Sequence, residues 1–428
     1  MKNQKILIIA LTAIICLFII QTNNSFEKDE SILKSVVPSN LREINKSIVI
    51  NIIKNIGPIS RAYVAKEADL TRATTSQIVQ ELINDGIILE TGIKEGALGR
   101  KGILLKYNDQ YGYVVGIDLG GSKITFGLFD YNNNLKHRKT IQTFQVNDRG
   151  LFIKKLVTEI RNILSENGKA IDELKAIGIA SPGIIDFKSG IVIEGSPNLP
   201  DWKQFNLKQV IEKEFNIPVI VENDVRAALI GEFLKGKCRT VHSAVLISLG
   251  TGIGSAMLID GKIIRGAGNA AGEIGYMLFE QNHLSQDWGD KGCFETLASG
   301  SGLLKQAEKV NTSKSWLSTL EIFEEARKGE EKALQLLDQF INYLAISINN
   351  IITVANPEKI VLTGGLSRSS DLYLDKVNNL LAKHTFSKNH VNIEVTDLFD
   401  LAAIYGAAVL ALSYTQPDIE FLEGVSII

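Results

Sequence analysis

The chain has 428 residues, 45% of them hydrophobic and 22% charged, a balance ordinary for a globular protein and unlike that of a disordered chain. That length gives room for two or three domains with well-buried cores, and the three cysteines, Cys16, Cys238 and Cys293, are too few and too scattered for a disulfide framework. The net charge of −2 hides an asymmetry: residues 40–107 carry ten Lys and Arg against seven Asp and Glu, so a mildly basic module precedes an acidic body.

Residues 6–20 form an apolar run interrupted only by Thr12 and preceded by Lys2 and Lys5. Alone it resembles a signal peptide or a short anchor. As a helix it rises only about 22 Å, short of the ~30 Å hydrocarbon core of a bilayer, and no small-x-small cleavage pattern surrounds Cys16. Residues 1–39 are therefore expected to be an extension and linker, either an over-long start or a weak inner-face anchor. Export and a true spanning segment are the alternatives.

Between residues 40 and 108 the pattern is helical and then β. Ile44, Ile48, Ile52 and Ile56 recur at every fourth position and predict a helix with one apolar face, ending near Gly57-Pro58. Ser60 is placed to cap a second helix carrying Tyr63, Val64 and Ala68. After a turn at Asp69-Leu70, Thr71 caps a third helix over 72–84, with Ile78, Val79, Leu82 and Ile83 facing inward and Asp85-Gly86 stopping it. Two short strands, 87–90 and 103–105, flank a loop with Gly92, Gly96 and Gly99. Helix, helix, tight turn, helix and two-stranded wing is the plan of a winged helix-turn-helix DNA-binding domain. In that plan Arg72, Thr74, Thr75 and Gln77 meet base edges, while Arg100 and Lys101 on the wing reach phosphates or the minor groove. A three-helix interaction domain with a solvated polar face is the alternative, and the order of cap, Thr-rich helix and basic wing favours DNA.

From residue 111 onward, strands alternate with helices. Tyr113-Val114-Val115-Gly116-Ile117 leads into Asp118-Leu119-Gly120-Gly121-Ser122-Lys123, and Ala244-Val245-Leu246-Ile247-Ser248-Leu249 leads into Gly250-Thr251-Gly252-Ile253-Gly254. Each is followed by another apolar run, so both predict hairpins with a glycine-rich tip. Such tips let backbone N–H groups approach phosphate oxygens with no Cβ in the way. Two of them, one per half of a duplicated domain, suit the two sides of a nucleotide cleft. Between them come a predicted helix over 151–167, a strand over 176–180 with the turn Ser181-Pro182-Gly183, and the rigid polar loop Pro197-Asn198-Leu199-Pro200-Asp201-Trp202. A strand over 218–221 then ends in Glu222-Asn223-Asp224 at the start of a helix over 225–234. A carboxylate at a strand's C-terminal edge, beside a helix start, is where open α/β sheets place their chemistry; helix capping is the plainer use of the same residues. Beyond the second hairpin, Gly272-Glu273-Ile274-Gly275-Tyr276 and Gly292-Cys293-Phe294-Glu295 add polar groups. A helix over 331–354 leads to a strand over 359–362, Thr363-Gly364-Gly365 opens the next helix, and the small residues of 402–408 suit a closely packed closing helix.

Across residues 40–414 these motifs resemble the ROK family, which groups sugar-responsive repressors with sugar kinases. The resemblance implies an α/β, actin/hexokinase-like duplicated two-lobed domain preceded by the winged helix-turn-helix over 40–108. Lobe 1 would span 111–225, lobe 2 226–395, the closing helix 396–415 and a tail 416–428. It further implies that Asp118 sits near the metal and phosphates, and that Gly120, Gly121, Ser122, Lys123, Gly250, Thr251, Gly252 and Gly254 line the phosphate site, with Gly364 and Gly365 by the adenosine. Asn198, Asn223, Asp224, Glu273, Tyr276 and Glu295 would contact the sugar, with Asp224 as the catalytic base in the kinases. That role is physically sensible, since an attacking hydroxyl needs a carboxylate within hydrogen-bond reach.

The family's zinc site of one His and three Cys is not matched. Tyr276 stands at the His position, Gln286 and Trp288 at the first two Cys positions, and only Cys293 remains, with His283 nearby. A tetrahedral structural zinc needs four ligands, so none is expected, and the loop 279–291 should be held by packing around Trp288. Tyrosine at the His position leaves the sugar open among xylose, glucose and N-acetylated amino sugars. With its DNA module complete, the chain is expected to be a sugar-responsive transcriptional repressor more than an enzyme, with no cofactor required. It would act in the cytoplasm, where DNA and ATP are available, on double-stranded operator DNA as a homodimer or higher homo-oligomer. The alternative is an ATP-dependent sugar kinase that uses Mg-ATP.

Overall fold

The computed structural model describes residues 38–95, 101–195, 199, 202–310, 316–386 and 391–415. By contacts the chain divides into two units, residues 1–46 and 47–428. Of the first, the described part is the start of helix α1 (Pro38–Ile56); the apolar run 6–20 lies outside the described residues. The architecture belongs to the second unit.

From Ser47 on, α1 buries Val49, Ile50 and Ile53 instead of the expected isoleucine stripe. Ile48 and Ile56 stay 37% and 47% exposed, and Ile52 is half-buried. Steps of four drift about 40° each around a helix with 3.6 residues per turn, so the ends of such a stripe leave the buried face. Strand β1 (Ile59–Ser60) and helices α2 (Arg61–Glu67) and α3 (Arg72–Asn84) follow. The Ser60 and Thr71 hydroxyls accept the N–H of Tyr63 and Thr74, the capping their positions predict. Strands β2 (Ile88–Glu95) and β3 (Lys101–Tyr107) form the wing, longer than expected, and β1 pairs with β3 to complete a small antiparallel sheet.

The body is built twice on one plan. Strands β4 (Tyr113–Leu119), β5 (Lys123–Asp130) and β6 (Leu135–Gln142) form an antiparallel meander, followed by helix α4 (Arg149–Ser165) and β7 (Leu174–Ser181), parallel to β4. A three-stranded ribbon of β8 (Ile184–Asp186), β9 (Ile191–Glu194) and β10 (Phe205–Asn206) interrupts the plan. Helix α5 (Leu207–Phe215) and β11 (Val219–Asn223), parallel to β7, complete the first sheet. Helix α6 (Asp224–Lys235) then leads to the second meander, β12 (Ala244–Leu249), β13 (Ile253–Ile259) and β14 (Lys262–Ile264). Helices α7 (Cys293–Ala298), α8 (Gly300–Val310), α9 (Thr319–Arg327) and α10 (Glu331–Ala355) precede β15 (Lys359–Thr363), parallel to β12. Helix α11 (Leu374–His384) and β16 (Asn392–Val395) finish the second sheet, and α12 (Ala402–Thr415) closes the described chain. The sheet orders β6-β5-β4-β7-β11 and β14-β13-β12-β15-β16 are the same permutation, which is the duplication read from the two hairpins. Among the described residues no helix is long and apolar enough to cross a membrane.

Helix α12 lies against α6, β4 and β7, while α6 also lies against β12 and β13, so this helix pair joins the two sheets. The small residues of α12 are what allow it: a Cβ at Gly406 would run into the Ala227 carbonyl of α6. One apolar cluster joins the winged module to the body, combining Val49, Ile53, Ile88, Leu105 and Tyr107 with Phe129, Tyr131, Ala408 and Leu412. The module therefore shares a core with lobe 1 and the closing helix. Within the module the Asn108 N–H and side-chain amide donate to the carbonyls of Ile87 and Gly86, and at the junction the Tyr131 N–H donates to the Asp109 carbonyl at 3.4 Å.

Candidate functional site

Both glycine tips border one cleft of about 620 Å³, and each is braced from outside. At the β4–β5 tip the Thr143 hydroxyl donates to the Gly120 carbonyl at 2.6 Å and the Thr143 N–H to the Ser122 carbonyl at 3.0 Å. At the β12–β13 tip the N–H groups of Gly300 and Ser301, opening α8, donate to the carbonyls of Gly250 and Thr251. Asp118, Gly120, Gly121, Ser122, Lys123, Gly250, Thr251, Gly364 and Gly365 all line this cleft. Two charged residues there were not anticipated from the sequence, Arg368 and Asp400. The Asp400 Oδ2 lies 2.7 Å from the Lys123 Nζ and 3.8 Å from an Arg368 Nη, so one carboxylate oxygen gathers cations from both lobes. Neither residue belongs to a glycine motif, and no local pattern marks them.

A second, larger cleft of about 1160 Å³ adjoins the first, and Gly121, Asp224, Gly250 and Thr251 line both. It collects Asn223, Asp224, Glu273, Tyr276 and Glu295 from β11, α6, the loop after β14 and α7. Gly252 and Gly254, expected at the phosphates, line this second cleft instead. A Cβ on Gly252 would come within 2.5 Å of the Glu295 Oε2, which accepts the Ile253 N–H at 3.0 Å, so a side chain there would displace that carboxylate. Asn223 is the N-cap of α6, its Oδ1 accepting the N–H of Val225 and Arg226 while its amide donates to the Gly183 carbonyl at 3.0 Å. Capping by Asn223 leaves Asp224 as the carboxyl that borders both clefts. Asn198 lies outside the described residues. Glu194, Lys203 and Lys291 also line the cleft, Lys203 paired with Glu194 at 2.9 Å and Lys291 donating to the Ser301 hydroxyl at 3.2 Å.

The carboxyls of this site hold their protons more tightly than free ones. Burial, then the neighbouring Asp224, pushes Asp118 up to about 7, against the opposing pull of Lys123. Burial also raises Asp224, countered by the Val225 N–H and Arg226. Glu273 is raised by burial and by Asp224, and Glu295 by burial against the Ile253 N–H and Lys291. Such a cluster of reluctant acids can accept hydrogen bonds when ionised and donate them when protonated, which suits a ligand dense in hydroxyls.

On the winged module Arg72 and Gln77 are exposed and Thr74 is half-buried. Thr75 is not on that surface: it is fully buried and its hydroxyl donates to the Thr71 carbonyl at 3.0 Å. Three and four residues before Ile78 and Val79, it shares their inward face. Arg100 lies outside the described residues, and Lys101 opens β3. Arg61, which follows the Ser60 cap, ties α2 to the wing through Glu90 at 2.8 Å and to α3 through Gln80 at 3.4 Å.

The loop at the family's zinc position is organised around Trp288, whose indole N–H donates to the His283 carbonyl at 2.9 Å and whose ring meets the His283 ring edge-on. The Cys293 Sγ lies 3.2 Å from His283 Nδ1, both buried. Burial pushes the Cys293 thiol up to about 11. With one thiol, one imidazole, and Tyr276, Gln286 and Trp288 at the other positions, the residues present do not fit a tetrahedral zinc.

A family model described as ROK family matches residues 114–414. A xylose repressor of Caldicellulosiruptor bescii is 28% identical over 386 residues, covering 87% of this chain and 96% of that protein. A solved structure of a ROK family transcriptional regulator, described as a homologue of the E. coli MLC protein, superposes with a TM-score of 0.74 at 25% identity, covering 88% of this chain and 97% of that one. A ROK family glucokinase from Streptomyces griseus, solved with glucose and AMPPNP, reaches a TM-score of 0.59 at 26% identity over 70% of this chain and 99% of its own.

Proposed function

The chain belongs to the ROK family, and we propose that it is a transcriptional repressor that binds operator DNA through its winged module and leaves it when a sugar fills the second cleft. The observation that carries this reading is the shared core: the winged module packs on lobe 1 and on α12, the helix that α6 and its cleft residue Asp224 lean against. A sugar that favours one arrangement of the lobes therefore has a packed route to the DNA-reading helix, and its effect equals its differential affinity for the two arrangements. The expected assembly is a homodimer or higher homo-oligomer in the cytoplasm, with Arg72, Thr74 and Gln77 at the major groove and Arg100 and Lys101 at the wing. Two-fold symmetry would make the operator a palindrome with half-sites a whole number of helical turns apart. Neither a metal nor a nucleotide is required. Selection from a randomised duplex pool, with and without D-xylose or D-glucose, tests the reading: enrichment of a palindrome that either sugar suppresses supports it, and no enriched sequence rejects it.

One observation favours a second reading, an ATP-dependent sugar kinase: Asp224 borders both clefts, where a base would stand between a hydroxyl and a phosphoryl group. The first cleft fits Mg-ATP by its donors, with the Asp118 carboxyl for the metal, Lys123 and Arg368 as cations and the glycine tips for phosphates. Bound there, the nucleotide would supply the phosphoryl group. Asp224 would orient the sugar hydroxyl and accept its proton. ADP release with a hexose panel separates the readings: turnover abolished in Asp224→Ala supports the kinase, and no turnover in the parent leaves a sensor.

A further inference from the structure

Behind the second cleft, its three walls meet at one buried carboxylate. Glu222, on β11 directly before Asn223 and Asp224, is fully buried. Its Oε1 accepts the Asn223 N–H at 2.8 Å and lies 3.3 Å from an Arg226 Nη. Its Oε2 accepts the Arg265 Nε–H at 2.9 Å and lies 2.8 Å from an Arg265 Nη, so one oxygen carries both the hydrogen bond and the ion pair. Arg226, also buried, sends its other Nη to the carbonyls of Asn269 and Ala271, at 2.6 Å and 3.4 Å. Those carbonyls belong to the loop that begins at Arg265, directly after β14, and ends at Glu273. The Arg265 guanidinium also stacks on Phe187, 3.9 Å from the ring centre, in the turn between β8 and β9. The corner bearing Asp224, the loop bearing Glu273 and the ribbon bearing Glu194 are thus pinned to one another, and none of Glu222, Arg226 and Arg265 lines the cleft itself.

A buried ion cluster is a poor way to gain stability, because desolvation of the charges offsets most of their attraction. What a carboxylate shared between two guanidinium groups, one on each oxygen, supplies is fixed geometry. We propose that Glu222, Arg226 and Arg265 are positioning residues of the sugar site, setting the spacing between Asp224 and Glu273 and with it the affinity for sugar. The proposal rests on the reading of the second cleft as a sugar site.

Arg265 is the member to change, since its side chain is 19% exposed and its loss leaves Glu222 paired with Arg226. The full-length parent, Arg265→Gln, Arg265→Lys and Phe187→Leu are titrated with D-xylose, D-glucose and N-acetyl-D-glucosamine by calorimetry. Their sugar-free affinity for duplex DNA and their Tm are measured beside it. Arg265→Gln is expected to weaken binding of the sugar the parent takes by about tenfold or more, with DNA affinity unchanged within about twofold. Arg265→Lys, which keeps the charge and loses the directed Nε–H bond and the planar stack, recovers part of that loss. Phe187→Leu, which keeps the ion pair and loses the stack, weakens sugar by about threefold and decides the matter if Arg265→Gln does not fold. Sugar affinity within about twofold of the parent in the folded variants overturns the proposal. So does a parallel loss of sugar binding, DNA binding and Tm, which marks a purely structural cluster. A parent that takes none of the three sugars refutes the sugar reading itself, and the proposal falls with it.

Discussion

Asp118 illustrates how a single side chain ties this site to pH. With its pKa near 7, it keeps in the folded protein a proton that the unfolded chain releases above about pH 4. The native state therefore holds more protons between those values, and stability falls as pH rises through that window. Asp118→Asn removes the penalty, so in denaturant titrations the variant should exceed the parent by about 1–2 kcal/mol at pH 8 and match it at pH 4. Equal stability at pH 8 would contradict the burial cause. On the winged module the neighbours Thr75 and Gln77 should part company. Thr75→Ala should cost about 1 kcal/mol of stability, from a lost buried hydrogen bond. Gln77→Ala should leave Tm unchanged and weaken specific operator binding by about 1–3 kcal/mol, measured by anisotropy. Read by polarity, both fall on one polar face; the spacing of Thr75, three and four residues before the inward Ile78 and Val79, is the signal that separates them. Glu273 and Glu295 were legible as site residues through their motifs. Arg265, Arg368 and Asp400 were not, since each acts on a partner distant in sequence.

At the level of elements, the closing helix was the most readable piece after the two hairpins. Its run of Ala and Gly only makes sense against another backbone, and Gly406 meets the Ala227 carbonyl of α6. Gly406→Ala should therefore cost about 1–3 kcal/mol by overpacking, in urea unfolding followed by tryptophan fluorescence. An unchanged midpoint would mean that the two helices separate freely. Both caps of the winged module, Ser60 and Thr71, also followed from sequence, because a cap is a local interaction. The buried face of α1 did not: four isoleucines at equal spacing looked like a stripe, and the core took Val49, Ile50 and Ile53. The periodicity of one helix does not fix which way it rotates against its neighbours. The length of the wing escaped for a similar reason, since the pairing of β2 with β3 is settled across strands.

For the whole molecule, the duplicated sheets follow from two glycine-tipped hairpins, and the winged module follows from a short run of caps and turns. What sequence left open is how module and body join. A single apolar core running from Val49 through Tyr107 to Leu412 makes the module a part of lobe 1, and on the proposed reading a shift of α12 would carry the winged module with it. Coupling of that kind is reciprocal: if sugar weakens the hold on DNA by some factor, DNA weakens the hold on sugar by the same factor. The most direct measurement is the affinity of full-length protein for a selected operator duplex, by fluorescence anisotropy, without sugar and with saturating sugar. A fall of about tenfold or more, matched by an equal fall in sugar affinity when operator is present, is the expected result. Operator affinity that is the same with and without bound sugar would contradict it.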